Sequence, residues 1–124
     1  MTIERVSEYC LSKPGAVLEH PFGSDPTVFK VGGKMFVLMF IKNGDVRLAM
    51  KCDAMFGYII RQQYPTIHPA YKSDQWISVP CDGSVPDDEI QIMINQSYDI
   101  IFKALTKKTR ERMLIETNEQ EDDK

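Results

Sequence analysis

Two histidines, three cysteines and the run of acids at 87–89 are the groups with the widest chemical repertoire in this 124-residue chain. His20 and His68 each stand directly before a proline, where the backbone favours loop or extended conformations. Cys10, Cys52 and Cys81 are widely spaced and form no CxxC pair. No set of His, Cys and carboxylate positions has the spacing of a zinc site, so neither a metal nor a cofactor is expected. Cys52 precedes Asp53 near a helix start, where a thiolate gains stabilisation. A small buried residue at a strand end is the other reading of the same cysteine. Asp87, Asp88 and Glu89 resemble a carboxylate cluster, but acids in a first helical turn explain them through the helix dipole. No GxSxG, GxGxxG or GxxxxGK[ST] motif occurs, and Gly32-Gly33 and Phe22-Gly23 read as turns rather than phosphate cradles. The expectation is a protein that is not an enzyme. A catalytic reading would have to work with Cys52 or His68.

Charge and aromatic content suggest binding instead. Between residues 28 and 72, Lys30, Lys34, Lys42, Arg47, Lys51, Arg61 and Lys72 stand against Asp45 and Asp53, a local balance of +5 within a chain of net charge -3. Such segregation points to an anionic partner, with a plain solvated surface as the alternative. Lys34, Arg47, Lys51, Arg61 and Lys72 are the candidates for phosphate contacts, and Phe36 and Trp76 for stacking on unpaired bases. DNA is therefore the candidate partner. A protein-interaction or small-ligand module with no nucleic-acid role is the alternative, and the acidic net charge speaks for it.

The elements that must position these residues follow from local signals. Thr2 can cap a first helix with Ile3, Val6, Tyr9 and Cys10 on one face, ended by Pro14-Gly15. Ala16 to Pro26 reads as an irregular connector, because its prolines and glycine discourage regular structure. Thr27–Val31, Lys34–Lys42 and Asp45–Lys51 read as a three-stranded meander turned by Gly32-Gly33 and Asn43-Gly44. Asp53 can cap a helix from Ala54 to Tyr64, closed by Pro65. Thr66 to Lys72 reads as a loop and Gln75 to Val79 as a short strand. Ser84-Val85-Pro86-Asp87 starts a long helix running to about Lys107, on the spacing of Ile90, Met93, Ile94, Ser97 and Ile101. Thr109 to Ile115 adds one or two turns.

If both meander turns hold two residues, Val37, Met39 and Ile41 face Met50, Leu48 and Val46, with Met35 and Val28 on the same aliphatic side. That side is the natural seat for the helices. The other side then carries Phe29, Val31, Lys34, Phe36, Leu38, Phe40, Arg47, Ala49 and Lys51. It is either a platform for bases and phosphates or a second core with charges at its rim.

The fold class expected is α+β, an antiparallel meander packed on N- and C-terminal helices. Residues 1–116 form one domain, with 43% hydrophobic residues to build its core, and 117–124 an acidic disordered tail. The longest apolar run, Met35 to Ile41, falls well short of the roughly 20 residues that span a bilayer. An acidic N-terminus without an apolar stretch, together with unpaired cysteines, points to the cytoplasm.

Several short stretches, in order, resemble the MmcQ/YjbR family of small bacterial proteins. They are Pro14-Gly15 with Glu19, His20-Pro21-Phe22-Gly23, Val28 to Phe36, Lys51-Cys52-Asp53, Tyr64-Pro65 with Pro69-Ala70-Tyr71, Trp76-Ile77-Ser78-Val79, and Ser97-Tyr98-Asp99. The resemblance implies a CyaY-like, frataxin-like two-layer architecture, a sheet packed on helices from both chain ends. It also implies the double-wing DNA-binding motif commonly ascribed to the family. In one place the chain departs from the family pattern. Only Lys72-Ser73-Asp74-Gln75 separates Tyr71 from Trp76, where the family tends to carry a longer stretch rich in His, Asn and Lys.

Overall fold

The structure, a computed structural model, describes residues 1–122. Helix α1 (Ile3–Leu11) opens the chain, with the Thr2 hydroxyl accepting from the Arg5 amide as its cap. Six strands and α2 follow: β1 (Ala16–Glu19), β2 (Thr27–Val31), β3 (Lys34–Lys42), β4 (Asp45–Lys51), α2 (Ala54–Gln63), β5 (His68–Pro69) and β6 (Trp76–Pro80). Helices α3 (Asp87–Ala104) and α4 (Lys107–Asp122) complete it. All neighbouring strands are antiparallel, in the order β1-β2-β3-β4-β6-β5. The α+β class and the meander expected from the sequence are both present. None of the described helices is long and apolar enough to cross a membrane.

Three local differences have physical reasons. Ala16–Glu19, expected as connector, adds to β2 as an edge strand through Leu18 opposite Phe29, since a short apolar stretch gains ladder bonds there. The long helix ends at Ala104 rather than near Lys107. Leu105 leaves it to bury itself against the β2–β3 turn, where a Cβ on Gly32 would come within 2.6 Å of the leucine side chain. Thr106 then caps α4 by accepting from the Thr109 amide. Helix α4 runs on to Asp122, into the stretch expected as an acidic disordered tail. Extending a formed helix costs far less than starting one, and the Glu and Gln residues there are good helix formers. Residues 123 and 124, also assigned to that tail, lie outside the described residues.

The β3–β4 register is the expected one: Val37 faces Met50, Met39 faces Leu48 and Ile41 faces Val46. The β2–β3 register is not. Phe29 pairs with Val37 but Lys30 pairs with Met35, so Phe36 is an extra residue, a β-bulge. The bulge exchanges part of the two faces. Phe29, Val31 and Phe36 turn towards the helices and are fully buried, while Val28, Lys30 and Met35 turn to the other side.

The core therefore lies between one sheet face and α3, which packs on β2, β3 and β4, with α1 against β1. Phe36 sits edge-on to Tyr98 of α3 at 5.3 Å, and Ile90, Met93 and Ile94 fill the layer beside it. The bulge leaves the Phe36 carbonyl outside the ladder. Ser97, buried in α3, donates its hydroxyl to that carbonyl at 2.6 Å and accepts the Lys51 amide at 2.9 Å. One side chain thus satisfies two backbone groups on neighbouring strands.

Candidate functional site

None of the described helices packs on the sheet's second face. Alternation along the strands places Leu38, Phe40 and Lys42 of β3, Arg47, Ala49 and Lys51 of β4, and Trp76 and Ser78 of β6 side by side on it. Pro69, Ala70 and Tyr71 rise at its edge and close a concavity of about 400 Å³ over Leu38, Phe40, Ala49 and Ser78, with Pro26 and Lys42 at its margin. That volume lies within the roughly 300–1,000 Å³ usual for ligand sites, and the lining is mostly apolar, as theirs is.

Tyr71 and Lys72 hold their places through an unusual turn. Both have left-handed backbone, φ 55° and 52°, and the Ser73 amide donates to the Ala70 carbonyl at 3.0 Å to close the loop. Two consecutive non-glycine residues in this region resemble a type I′ turn and carry local strain. The result is a tyrosine that is 58% exposed yet fixed edge-on to Trp76 at 5.4 Å. Lys51, opposite Trp76 in the ladder, has its ammonium 5.6 Å from the indole centroid and 3.1 Å from Gln75 Oε1.

Arg47 is spent differently from a free surface cation. Its Nε donates to Ser78 Oγ at 2.7 Å, and one terminal nitrogen donates to the carbonyls of Thr66 and Ser78 at 2.7 and 2.9 Å. Burial pushes its guanidinium below the usual range, opposed by Asp82 and Asp45, and it remains a cation. Arg47 therefore braces β4 to β6 and polarises Ser78.

Of the residues singled out for nucleic acid, Arg47, Lys51 and Trp76 meet on this face, and Lys72 stands exposed at its rim. The other three do not join them. Phe36 is 0% exposed behind the bulge and cannot stack on a base. Lys34 pairs with buried Val31 beside the β2–β3 turn and shares the helix side of the strand with Phe36. Arg61 folds back against α2, its Nη1 buried with no hydrogen-bond partner among the described residues. A Cβ at Gly57 would lie 3.0 Å from that nitrogen and from Cys52 Sγ, so a side chain there would crowd both.

Tyr71, Lys42 and Ser78 belong to the face and were not among the sequence candidates, whereas Phe40 lies on the side of the meander where the sequence placed it. Ser78 had a signal: Trp76, Ser78 and Pro80 alternate with apolar Ile77 and Val79. The groups a catalytic reading would need lie apart. His68 is exposed on the edge strand opposite Ser78, and burial raises the Cys52 thiol above its ordinary range, against the pull of Arg61. Cys10 is buried and pushed up to about 12 by desolvation.

Comparison with known proteins agrees with this architecture. The YjbR family model matches residues 11–100, a span that contains all six strands and α2. The uncharacterized protein YbdF of Escherichia coli O157:H7 is 30% identical over 112 residues, covering 89% of this chain and 92% of that protein. The uncharacterized protein YjbR of Escherichia coli K12 is 26% identical over 116 residues, covering 92% of this chain and 98% of its own. The crystal structure of Deinococcus radiodurans protein DR2400 superposes with a TM-score of 0.81 at 30% identity, over 90% of this chain and 87% of that one. A Pseudomonas syringae protein shares the fold at a TM-score of 0.70 and 21% identity, over 82% of this chain and 99% of its own. With its whole sheet inside the matched span, the chain belongs to the YjbR family.

Proposed function

We propose that the protein is a non-enzymatic, cytoplasmic binder of single-stranded nucleic acid, and that the open sheet face is its binding surface. One observation carries the reading. Phe40, Tyr71 and Trp76 are interleaved there with Lys42, Lys51 and Lys72, and these lysines form no salt bridge among the described residues. Aromatic rings give every base a stacking partner, and uncommitted ammonium groups replace the counterions of the phosphates. A duplex would bury its base faces and leave the rings of this surface idle, so the single strand is favoured. The three cysteines form no disulfide, which suits a reducing compartment.

Titration of a fluorescent single-stranded oligonucleotide across a salt series tests it. Binding should be saturable and weaken as salt rises, with a log–log slope of about -0.7 for each phosphate contacted. Absence of saturable binding at low salt would refute the reading. A concavity of this volume also suits a free small ligand. In that case affinity would stop rising once the oligonucleotide exceeds a single nucleotide.

A further inference from the structure

The concavity has one polar group on an apolar floor, and that group is held in an unusual state. Ser78 is 8% exposed and its Oγ accepts a 2.7 Å bond from the Arg47 Nε. A hydroxyl oxygen that accepts from a cation keeps its own proton for donation, and that proton becomes a stronger donor. Among the described residues no protein acceptor takes it. Backbone bonds from the guanidinium to Thr66 and Ser78 keep the pair from turning away. Ala49 lies beside Ser78 in the ladder, and Leu38, Phe40, Tyr71 and Lys42 share the lining of the concavity with it.

From this we infer that the concavity is a subsite for one unstacked nucleobase, with Ser78 donating to a carbonyl oxygen on the base edge. The inference rests on the nucleic-acid reading and adds to it a place and a preference. A flat ring entering edge-first lays a face against the Tyr71 wall and brings its edge down to the floor that holds Ser78. The single buried donor needs an acceptor, since leaving it unpaired on complex formation costs its desolvation. Lys42 lines the same concavity and supplies a cation for the phosphate of the seated nucleotide. Thymine, uracil, cytosine and guanine offer a carbonyl oxygen that projects from the ring edge; adenine's acceptors are ring nitrogens set back in that edge, which a hydroxyl as recessed as Ser78 reaches less well. The subsite therefore favours carbonyl-bearing bases over adenine.

The experiment compares oligodeoxythymidine, oligodeoxyadenosine and an abasic strand of equal length by fluorescence anisotropy at one low salt concentration. The wild-type protein should bind the thymidine strand about 3–10-fold more tightly than the adenosine strand, the worth of one hydrogen bond. The abasic strand should bind weakest. Ser78→Ala should remove the thymidine preference, so that the thymidine and adenosine strands bind alike. Ala49→Leu fills the floor without removing a hydrogen bond, and should bring both base-bearing strands down towards the abasic level. Thermal melts of both variants confirm that the fold is kept, and either variant alone decides the matter. Equal binding of all three strands by the wild type, or an intact thymidine preference in the folded variants, overturns the base subsite while nucleic-acid binding stands. No binding of any strand overturns the parent reading, and the subsite with it.

Discussion

Phe36 and Phe40 lie in one strand, and plain alternation would put them on one side of the sheet. The bulge sends Phe36 into the core against Tyr98 and leaves Phe40 on the open face, lining the concavity. Phe36→Ala should therefore cost about 3–5 kcal/mol of folding stability, as expected for a buried ring. Phe40→Ala should cost much less in stability yet weaken single-strand binding by about 1–3 kcal/mol, one stacking contact. Urea titrations of both variants beside an oligonucleotide titration of Phe40→Ala separate the two roles. A Phe36→Ala variant as stable as the parent would be inconsistent with its place in the core. At this scale the sequence was only half legible. The run from Met35 to Ile41 is apolar throughout, so nothing in it marks the inserted residue, and a bulge without glycine leaves no trace. Arg61 was equally hidden, because its return over Gly57 depends on the approach of the loop carrying Asp74.

Among elements, those with strong local signals are found where the sequence placed them. Asn43-Gly44 and Gly32-Gly33 fix the hairpins, and Asp53 caps α2 through the Phe56 amide at 2.8 Å. The short strands β1 and β5 were missed because four and two residues carry no periodicity of their own. They exist only as additions to β2 and β6. Ser97 belongs to this scale too, a polar residue at helical spacing with the apolar stripe of α3 and buried with it. It is the joint between the helix and two strands. Ser97→Ala should leave the Phe36 carbonyl and the Lys51 amide buried without that partner, at a cost of about 1–3 kcal/mol. The measurement is a shift in the urea midpoint together with faster hydrogen exchange at the Lys51 amide. Unchanged exchange there would show that the strands hold without the serine.

For the molecule as a whole, what matters is which side of the sheet a charge occupies, and no count of charges along the chain reveals that. The excess of +5 between residues 28 and 72 is divided by the fold. Lys30 is tied to Glu19 at 2.7 Å, Lys34 goes to the helix side and Arg61 folds inward, while Lys42, Lys51 and Lys72 border the open face. This division permits a test in which net charge cancels. Lys51→Glu and Lys34→Glu alter the total identically, so attraction governed by overall charge would weaken equally in both. Binding on the open face predicts otherwise. Lys51→Glu places a carboxylate beside Trp76 in the path of the strand, and should reduce both the affinity and the salt slope, the latter by about 0.7 for a lost phosphate contact. Lys34→Glu should leave both nearly unchanged at moderate salt, where screening over about 10 Å removes its influence across the sheet. The two variants are compared in one salt series. Equal losses would locate the attraction in the total charge and remove the open face from the mechanism, whereas a loss confined to Lys51→Glu ties binding to the side of the sheet that the helices leave bare.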